Sequence, residues 1–551
     1  MKATETRLAE LLYGPGQYVV PHFQRAYSWR RAQWATLWAD IQELHALDRS
    51  QPHFMGSVVL LTESADASGE TKLLVDGQQR LVTLSLFLAA LRDRARNSEP
   101  ALAQRINDTY LLDCAKGNEQ QPRIMCSYQD HEAFAAVILH GEAKPGSPVL
   151  EAYDTFISDL AAREDADLDR LTEVVLTQLR FVAITLDEAD NPYRVFESLN
   201  AKGMPLTQGD LLRNYFFMRL PTAEHDEWFR TIWQPMQTRL GEELDAFMHD
   251  YLAKDGEDVR AEEVYQSWRR RLTSLDVDGV KAVLRDVAEW SIEYDRLLHL
   301  NREPDTEARR RLQWLSAWSE TLKQPLLPFL LLVQTDIRRE VLTADAAARL
   351  LQAIQSFVAR RVFTSASDAD ENQQLVELYN RTSAEADHAD AFIVALSQPA
   401  QGWPTDDELR SAMLTYRLYP RSHADQRQLL LMALEESYPQ PMRFRLKDFD
   451  VELIAPLLPR EEWLRELGGD EDLHWSVVGT IGNLTWVERG QSSRVPLRVD
   501  ERLQHLRRHA RRCPSLARDV AYGKNWSAEA IRDRSRNLAE RAITIWPGPR
   551  R

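Results

Sequence analysis

The chain has 551 residues, 44% apolar and 28% charged, enough for two or three domains with cores of their own. Its 84 acidic and 68 basic residues leave a formal charge of −16, which argues against a protein that coats nucleic acid non-specifically. Cys114, Cys126 and Cys513 are too scattered for a disulfide framework or a zinc site, and no apolar run approaches the roughly 20 residues that span a bilayer. Nothing at the N-terminus has the order of a signal peptide, so the expectation is a cytoplasmic protein without membrane contact.

In chain order, Leu8, Leu11 and Leu12 predict a short packing helix within residues 1–12. Tyr18 to Pro21 reads as an edge strand, because Pro21 has no N–H to donate. Gln24 and Arg25 then project from the loop where that strand stops. Trp34, Leu37, Trp38, Ile41 and Leu44 form a helical stripe that reads as core. Phe54 to Thr62 predicts a strand and Glu63 to Glu70 a polar turn, giving a hairpin with the strand that follows.

That next strand ends in Asp76-Gly77-Gln78-Gln79-Arg80, and a helix with Leu81, Leu84, Leu88 and Leu91 on one stripe runs on to about Arg96. A strand that turns into a helix N-terminus presents unpaired N–H groups and a partial positive charge, a setting that suits an anion. Arg80 adds a planar charged fork, and Gln78 and Gln79 add neutral donors. Asp76 is the group that can orient a water or hold a metal.

Arg123 to Ser127 and Phe181 to Leu186 are further strand candidates, and Gly141 to Pro148 is a loop. The first domain therefore reads as α/β with a small mixed sheet. Tyr193 to Leu199 predicts a short helix, with Asn200 and Lys202 in the turn behind it, free to reach a ligand. Thr207 caps a further helix that starts near Gln208, close to a capping box with Asp210 in the acidic place. Leu211, Leu212, Tyr215 and Phe216 lie along it, and Arg213 and Asn214 are its polar positions.

From about 225 to 420 helical patterns dominate, and Trp314, Trp318 and the run Leu326 to Val333, interrupted by Pro328, read as the core of a bundle. Near the end, Asp450-Val451-Glu452-Leu453-Ile454-Ala455-Pro456 precedes Gly479-Thr480-Ile481-Gly482-Asn483-Leu484-Thr485-Trp486, and Trp526, Ile531, Arg534, Leu538 and Trp546 follow. Arg507, Arg508, Arg511 and Arg512 can form a local basic groove, though a solvated helix face fits them as well. His474, and His505 with His509, lack a third ligand in view, so no metal site is assigned.

The stretch Tyr18 to Trp29, the Asp-Gly-Gln-Gln-Arg turn and the stretch Val195 to Asn214, in this order, resemble the N-terminal domain of GmrSD-type modification-dependent restriction proteins. The motifs around Glu452 and Asn483 are similar to the family's C-terminal domain, whose fold resembles an HNH nuclease of the ββα-metal type. The resemblance implies a ParB/sulfiredoxin-like NTP-binding domain over 1–224, a helical scaffold over 225–419 and an HNH-like, mostly α domain over 420–551. It implies an NTP, of unspecified base, with Mg2+ as its companion ion. Asp76, Gln79 and Arg80 take the catalytic roles, and Gly77, Gln78, Gln24, Arg25, Asn200 and Lys202 border the nucleotide.

The family places its general-base histidine after the acidic residue of the first C-terminal motif, where this chain has Leu453 behind Glu452. It also carries an asparagine downstream of the Gly-Asn-Leu-Thr motif, where Gly490 to Arg494 has none. Asn483 survives, so the pattern is a retained scaffold with lost chemistry. The expectation is an NTP-hydrolysing anti-phage defence protein whose tail binds DNA, including modified phage DNA, or a second defence subunit. Self-association stays open. The alternatives are an active nicking or cleaving endonuclease with an altered metal site, and a nucleotide-dependent switch without hydrolysis.

Overall fold

The computed structural model describes residues 2–21, 24–46, 52–66, 69–113, 120–140, 146–186, 207–322, 326–364, 371–422, 424–442, 444–467, 469–489, 498–509, 514–522 and 526–550. The chain divides into two compact units, Met1–Thr238 with Glu262–Asp286, and Arg239–Ala261 with Val287–Arg551. The first is α/β. The second is mostly helical.

The first unit begins with strand β1 (Lys2–Arg7), helix α1 (Leu8–Leu12), strand β2 (Gly16–Val19) and helix α2 (Arg31–Ala46). Strands β3 (His53–Asp66) and β4 (Gly69–Asp76) lead into helix α3 (Gln78–Ala95). Helix α4 (Pro100–Ile106), short strands β5 (Leu112–Asp113), β6 (Gln121–Pro122) and β7 (Ile124–Met125), helices α5 (Tyr128–Leu139), α6 (Pro148–Ala161) and α7 (Ala166–Gln178), and strand β8 (Leu179–Leu186) follow, and further helices lie beyond residue 206. Six strands form one mixed sheet in the order β1-β8-β3-β4-β2-β7.

Leu74 on β4 faces the main core with Val58 and Leu60, while Val75 faces a smaller cluster with Val59 and Leu186. The sheet is therefore apolar on both faces, which explains the unbroken Leu74-Val75 pair. Leu81, Leu84, Leu88 and Leu91 are fully buried, and α3 is enclosed well beyond that stripe by α4 to α7. Phe87 meets Phe156 of α6 edge to face at 5.2 Å.

Three expectations need correction. β1 was not foreseen, because only Thr6 on it is buried and its hold is backbone pairing with β8. β3 runs through the expected polar turn, pairing Asp66 with Gly69, since ladder hydrogen bonds are indifferent to side-chain polarity. β2 is not an edge strand: β7 pairs outside it, and Pro21 lies beyond the last pair, so its missing N–H costs nothing.

In the second unit, Trp314 and Trp318 stack at 4.9 Å within the helix Glu307–Ser319. Pro328 does not interrupt its segment; it sits in the first turn of the helix Leu327–Arg338, where no N–H is required. Arg360, fully buried, donates to the carbonyls of Pro404 and Trp546 and to Asp406, fastening the C-terminal tail. No helix among the described residues is long and apolar enough to cross a membrane.

His249 is expected to make the stability of this unit pH-dependent. Its Nδ1 meets Asp250 Oδ1 at 2.8 Å and its Nε2 meets the Val259 carbonyl at 2.8 Å. Both partners are acceptors, so the ring satisfies both only when doubly protonated. The bond to Asp250 raises the histidine's pKa, against the opposing effect of burial. A pKa raised in the folded state gives stability that is fully present below the unfolded value of about 6.5 and lost as pH rises through the folded one. Thermal melts from pH 6 to 8.5 are therefore expected to fall more steeply for the native chain than for His249→Leu.

Candidate functional site

The β4–α3 junction turns on Gly77, whose φ of 93° is the left-handed conformation that glycine adopts freely. A Cβ there would lie 3.0 Å from Val58 Cγ2 and 3.2 Å from the Ser57 carbonyl. The Asp76 Oδ2 lies 3.3 Å from Arg80 Nη2, with the Gly77 N–H and the Ser57 side chain near enough to stabilise the carboxylate's charge. Burial raises the Asp76 pKa, while Arg80, Gly77, Ser57 and the charge of Arg25 oppose that rise. Arg80 Nη1 also donates to the Met55 carbonyl at 2.9 Å, lying so close to Gly56 that a Cβ there would overlap it.

The glutamines behave otherwise than as free donors. Gln78 Nε2 donates to the Arg25 carbonyl at 3.1 Å. Gln79 Oε1 accepts from the N–H groups of Ser28 at 2.8 Å and Trp29 at 3.3 Å, and its Nε2 donates to the Ala26 carbonyl. Gln24 Nε2 reaches back to the Val75 carbonyl at 2.8 Å. The three amides thus lace the 24–29 loop onto the strand–helix turn. Asp130 Oδ2 holds the Tyr27 N–H at 2.7 Å, and the Tyr27 hydroxyl bonds Thr83 and Trp34.

Arg25 is the exception on that loop. Its side chain is half-buried and makes no hydrogen bond or ion pair among the described residues, yet its charge acts on both Asp76 and Arg213. Arg213 lies on helix α8 (Gln208–Arg219), where Thr207 caps the helix by accepting the Asp210 N–H. The Asp210 carboxylate turns to Arg213 at 2.8 Å instead of completing a capping box. Burial lowers the Arg213 pKa, Asp210 opposes that, and Arg25 adds to it. Asn200 and Lys202, with the short helix expected before them, lie outside the described residues.

Arg25, Arg80 and Asp76 thus act on one another at the junction, the charge of Arg25 also reaches the Arg213–Asp210 pair, and among the described residues the Arg25 guanidinium has no hydrogen-bond or ion-pair partner. Arg213 and Asn214 carried a readable signal: two polar residues sit inside the otherwise apolar run Leu211 to Phe217, and both are buried. Ser57 carried none, since a lone serine in a strand is unremarkable.

In the second unit, strands β9 (Phe449–Leu453) and β10 (Leu484–Glu488) pair antiparallel, with Leu453 opposite Leu484 and Glu452 opposite Thr485. Leu453 is buried, and its carbonyl accepts from Arg502, a guanidinium that also senses the charge of Glu452. Asn483 is fully buried. Its Oδ1 accepts from the Ala455 N–H at 2.8 Å and Trp526 Nε1 at 3.2 Å, and its Nδ2 donates to the carbonyls of Ala455 and Val478.

His474 is also fully enclosed. Its Nδ1 accepts from Trp463 Nε1 at 2.9 Å, and its Nε2 faces the Leu457 carbonyl at 3.0 Å. Arg534, with burial lowering its pKa to about 10, ties the carbonyls of Gly482, Leu484 and Leu516 together. Among the described residues no group of three His, Cys, Asp or Glu side chains is placed to hold a metal ion.

The fold and these sites define a two-part protein: an α/β domain with a charged strand–turn–helix junction, and a helical unit that carries a small two-stranded antiparallel sheet and closes on the helix Ala528–Ile545. Residues 8–217 match the family model described as GmrSD restriction endonuclease, N-terminal domain, and residues 403–541 match GmrSD restriction endonucleases, C-terminal domain. The chain belongs to the GmrSD restriction endonuclease family. No curated protein matches it.

Proposed function

We propose that the chain is a nucleoside-triphosphate-binding and -hydrolysing protein of modification-dependent restriction, acting against modified phage DNA. The observation that carries the nucleotide reading is the Arg25 guanidinium, without a partner among the described residues, whose charge acts on Asp76 of the Asp76–Arg80 pair at a helix N-terminus. Arg25 and Arg80 meet the phosphates, together with the backbone of Gly77 and Gln78. Asn200 and Lys202 border the same ligand. Gln24, Gln78 and Gln79 hold the 24–29 loop in place, so Gln79 acts by positioning and not by touching phosphate. A magnesium ion carried in with the nucleotide needs only one or two carboxylates beside phosphates and water, and Asp76 fits that part.

The tail is proposed to keep an HNH-like frame without HNH chemistry and to bind DNA or a partner subunit. Leu453 has no proton-accepting atom, and the Asn483 carboxamide is spent on four internal hydrogen bonds. The laced loop also favours a second reading, a nucleotide-dependent switch: ligand at the turn acts directly on the glutamines that hold residues 24–29. Slow or absent turnover with tight binding selects it.

Arg80→Ala tests the phosphate assignment. A charge-assisted contact of this kind contributes roughly 1.5–3 kcal/mol, so affinity is expected to fall at least about tenfold. Isothermal titration with each of the four NTPs, on protein shown by its melting curve to be folded, measures it. Unchanged affinity removes the site.

A further inference from the structure

Asn214 is 6% exposed, and both its amide oxygen and its amide nitrogen are buried without a hydrogen-bond partner among the described residues. Burying an unpaired carboxamide is costly, and folded proteins rarely leave one unexplained. On α8, positions 210, 213 and 214 are spaced by three and four, so Asn214 shares a face with the Asp210–Arg213 pair. Arg213 on that face lies within reach of the charge of Arg25, which also acts on Asp76. Asp210 and Gln237 hold Arg213 in place, at 2.8 and 3.3 Å.

We infer that Asn214 is a ligand-binding residue of this junction, pairing with a neutral donor–acceptor group of the nucleotide, the base edge or the ribose hydroxyls. The assignment rests on the nucleotide reading above. Arginines suit phosphate oxygens, whereas a carboxamide offers one donor and one acceptor side by side and carries no charge. Such a group discriminates strongly, since a partner that cannot reciprocate leaves it buried and unpaired. Asn214 therefore contributes specificity where Arg25 and Arg80 contribute charge.

The test compares a full nucleotide with its phosphate portion alone. In Asn214→Leu, affinity for the preferred NTP is expected to fall about tenfold or more, the loss of two neutral hydrogen bonds. Affinity for inorganic tripolyphosphate stays within about twofold. The ligand-free melting temperature is expected to hold or rise, because an isosteric apolar side chain removes an unpaired polar group. Asn214→Ala makes the same comparison with a smaller side chain. If the wild-type chain discriminates against the 2′,3′-dideoxy NTP and the variant does not, the partner is the ribose; if neither does, it is the base.

Unchanged NTP affinity in both variants overturns the inference and leaves the phosphate site standing. Equal losses for NTP and tripolyphosphate overturn it too, since Asn214 then acts only through the fold. A wild-type chain that binds no NTP overturns the nucleotide reading itself.

Discussion

Asn483→Ala is expected to destabilise the second unit by on the order of 4 kcal/mol, with no step of catalysis involved. The carboxamide is fully buried and bridges three segments: Ala455 behind β9, Val478, and Trp526 ahead of the helix Ala528–Ile545. Truncation strands two N–H donors and two carbonyls where water does not reach. Each stranded group costs about 1–3 kcal/mol, partly recovered by relaxation, and the sum is far above an ordinary surface change. In a unit of this size that corresponds to a melting temperature lower by roughly 8–15 °C. Asn483→Asp is expected to fail similarly, because a carboxylate cannot donate to the Ala455 and Val478 carbonyls. Calorimetry on the purified chain measures both, and a loss below about 1 kcal/mol would contradict the bridging role.

This residue also shows where reading from sequence stops. The Gly-Asn-Leu motif is visible in the chain, but motif membership does not say whether an asparagine serves substrate or scaffold. Only the four partners decide it. The same holds at the β4–α3 turn. Its existence follows from β-branched and apolar residues, one glycine and a 3.6-residue stripe, all of which act locally and leave a local trace. The partners of Gln24, Gln78 and Gln79 are backbone atoms about fifty residues away in sequence, and a backbone atom has no residue type to recognise.

Hence the position of the loop beside the turn was legible, while the use of its amides was not. β1 is the extreme case: a nearly all-exposed strand, held through main-chain pairing with β8, leaves no hydrophobic pattern to read. On α8 the limit was different. Arg213 and Asn214 were seen as polar positions, but a helix buried on most sides has no solvent face to assign them to, so their burial needed the fold.

The chain alone is expected not to cleave or nick DNA by an HNH route. General-base catalysis is worth roughly 10²–10⁴ in rate, and Leu453, at the place of the water-activating histidine, supplies none of it. His474 cannot take over. Its Nδ1 lone pair is occupied by the Trp463 indole N–H, which can only donate, so the ring's proton sits on Nε2 and points at the Leu457 carbonyl. The ring is also shut off from solvent, so no water can be presented to it. His474→Ala is therefore expected to lower the melting temperature and leave plasmid topology unaffected. The assay incubates the purified chain with modified and unmodified supercoiled plasmid, magnesium or manganese, and each NTP. Nicking by the native chain that persists in Leu453→Ala and vanishes in a folded His474→Ala variant would show a relocated base, and the endonuclease alternative would then replace the reading of a tail that binds without cutting.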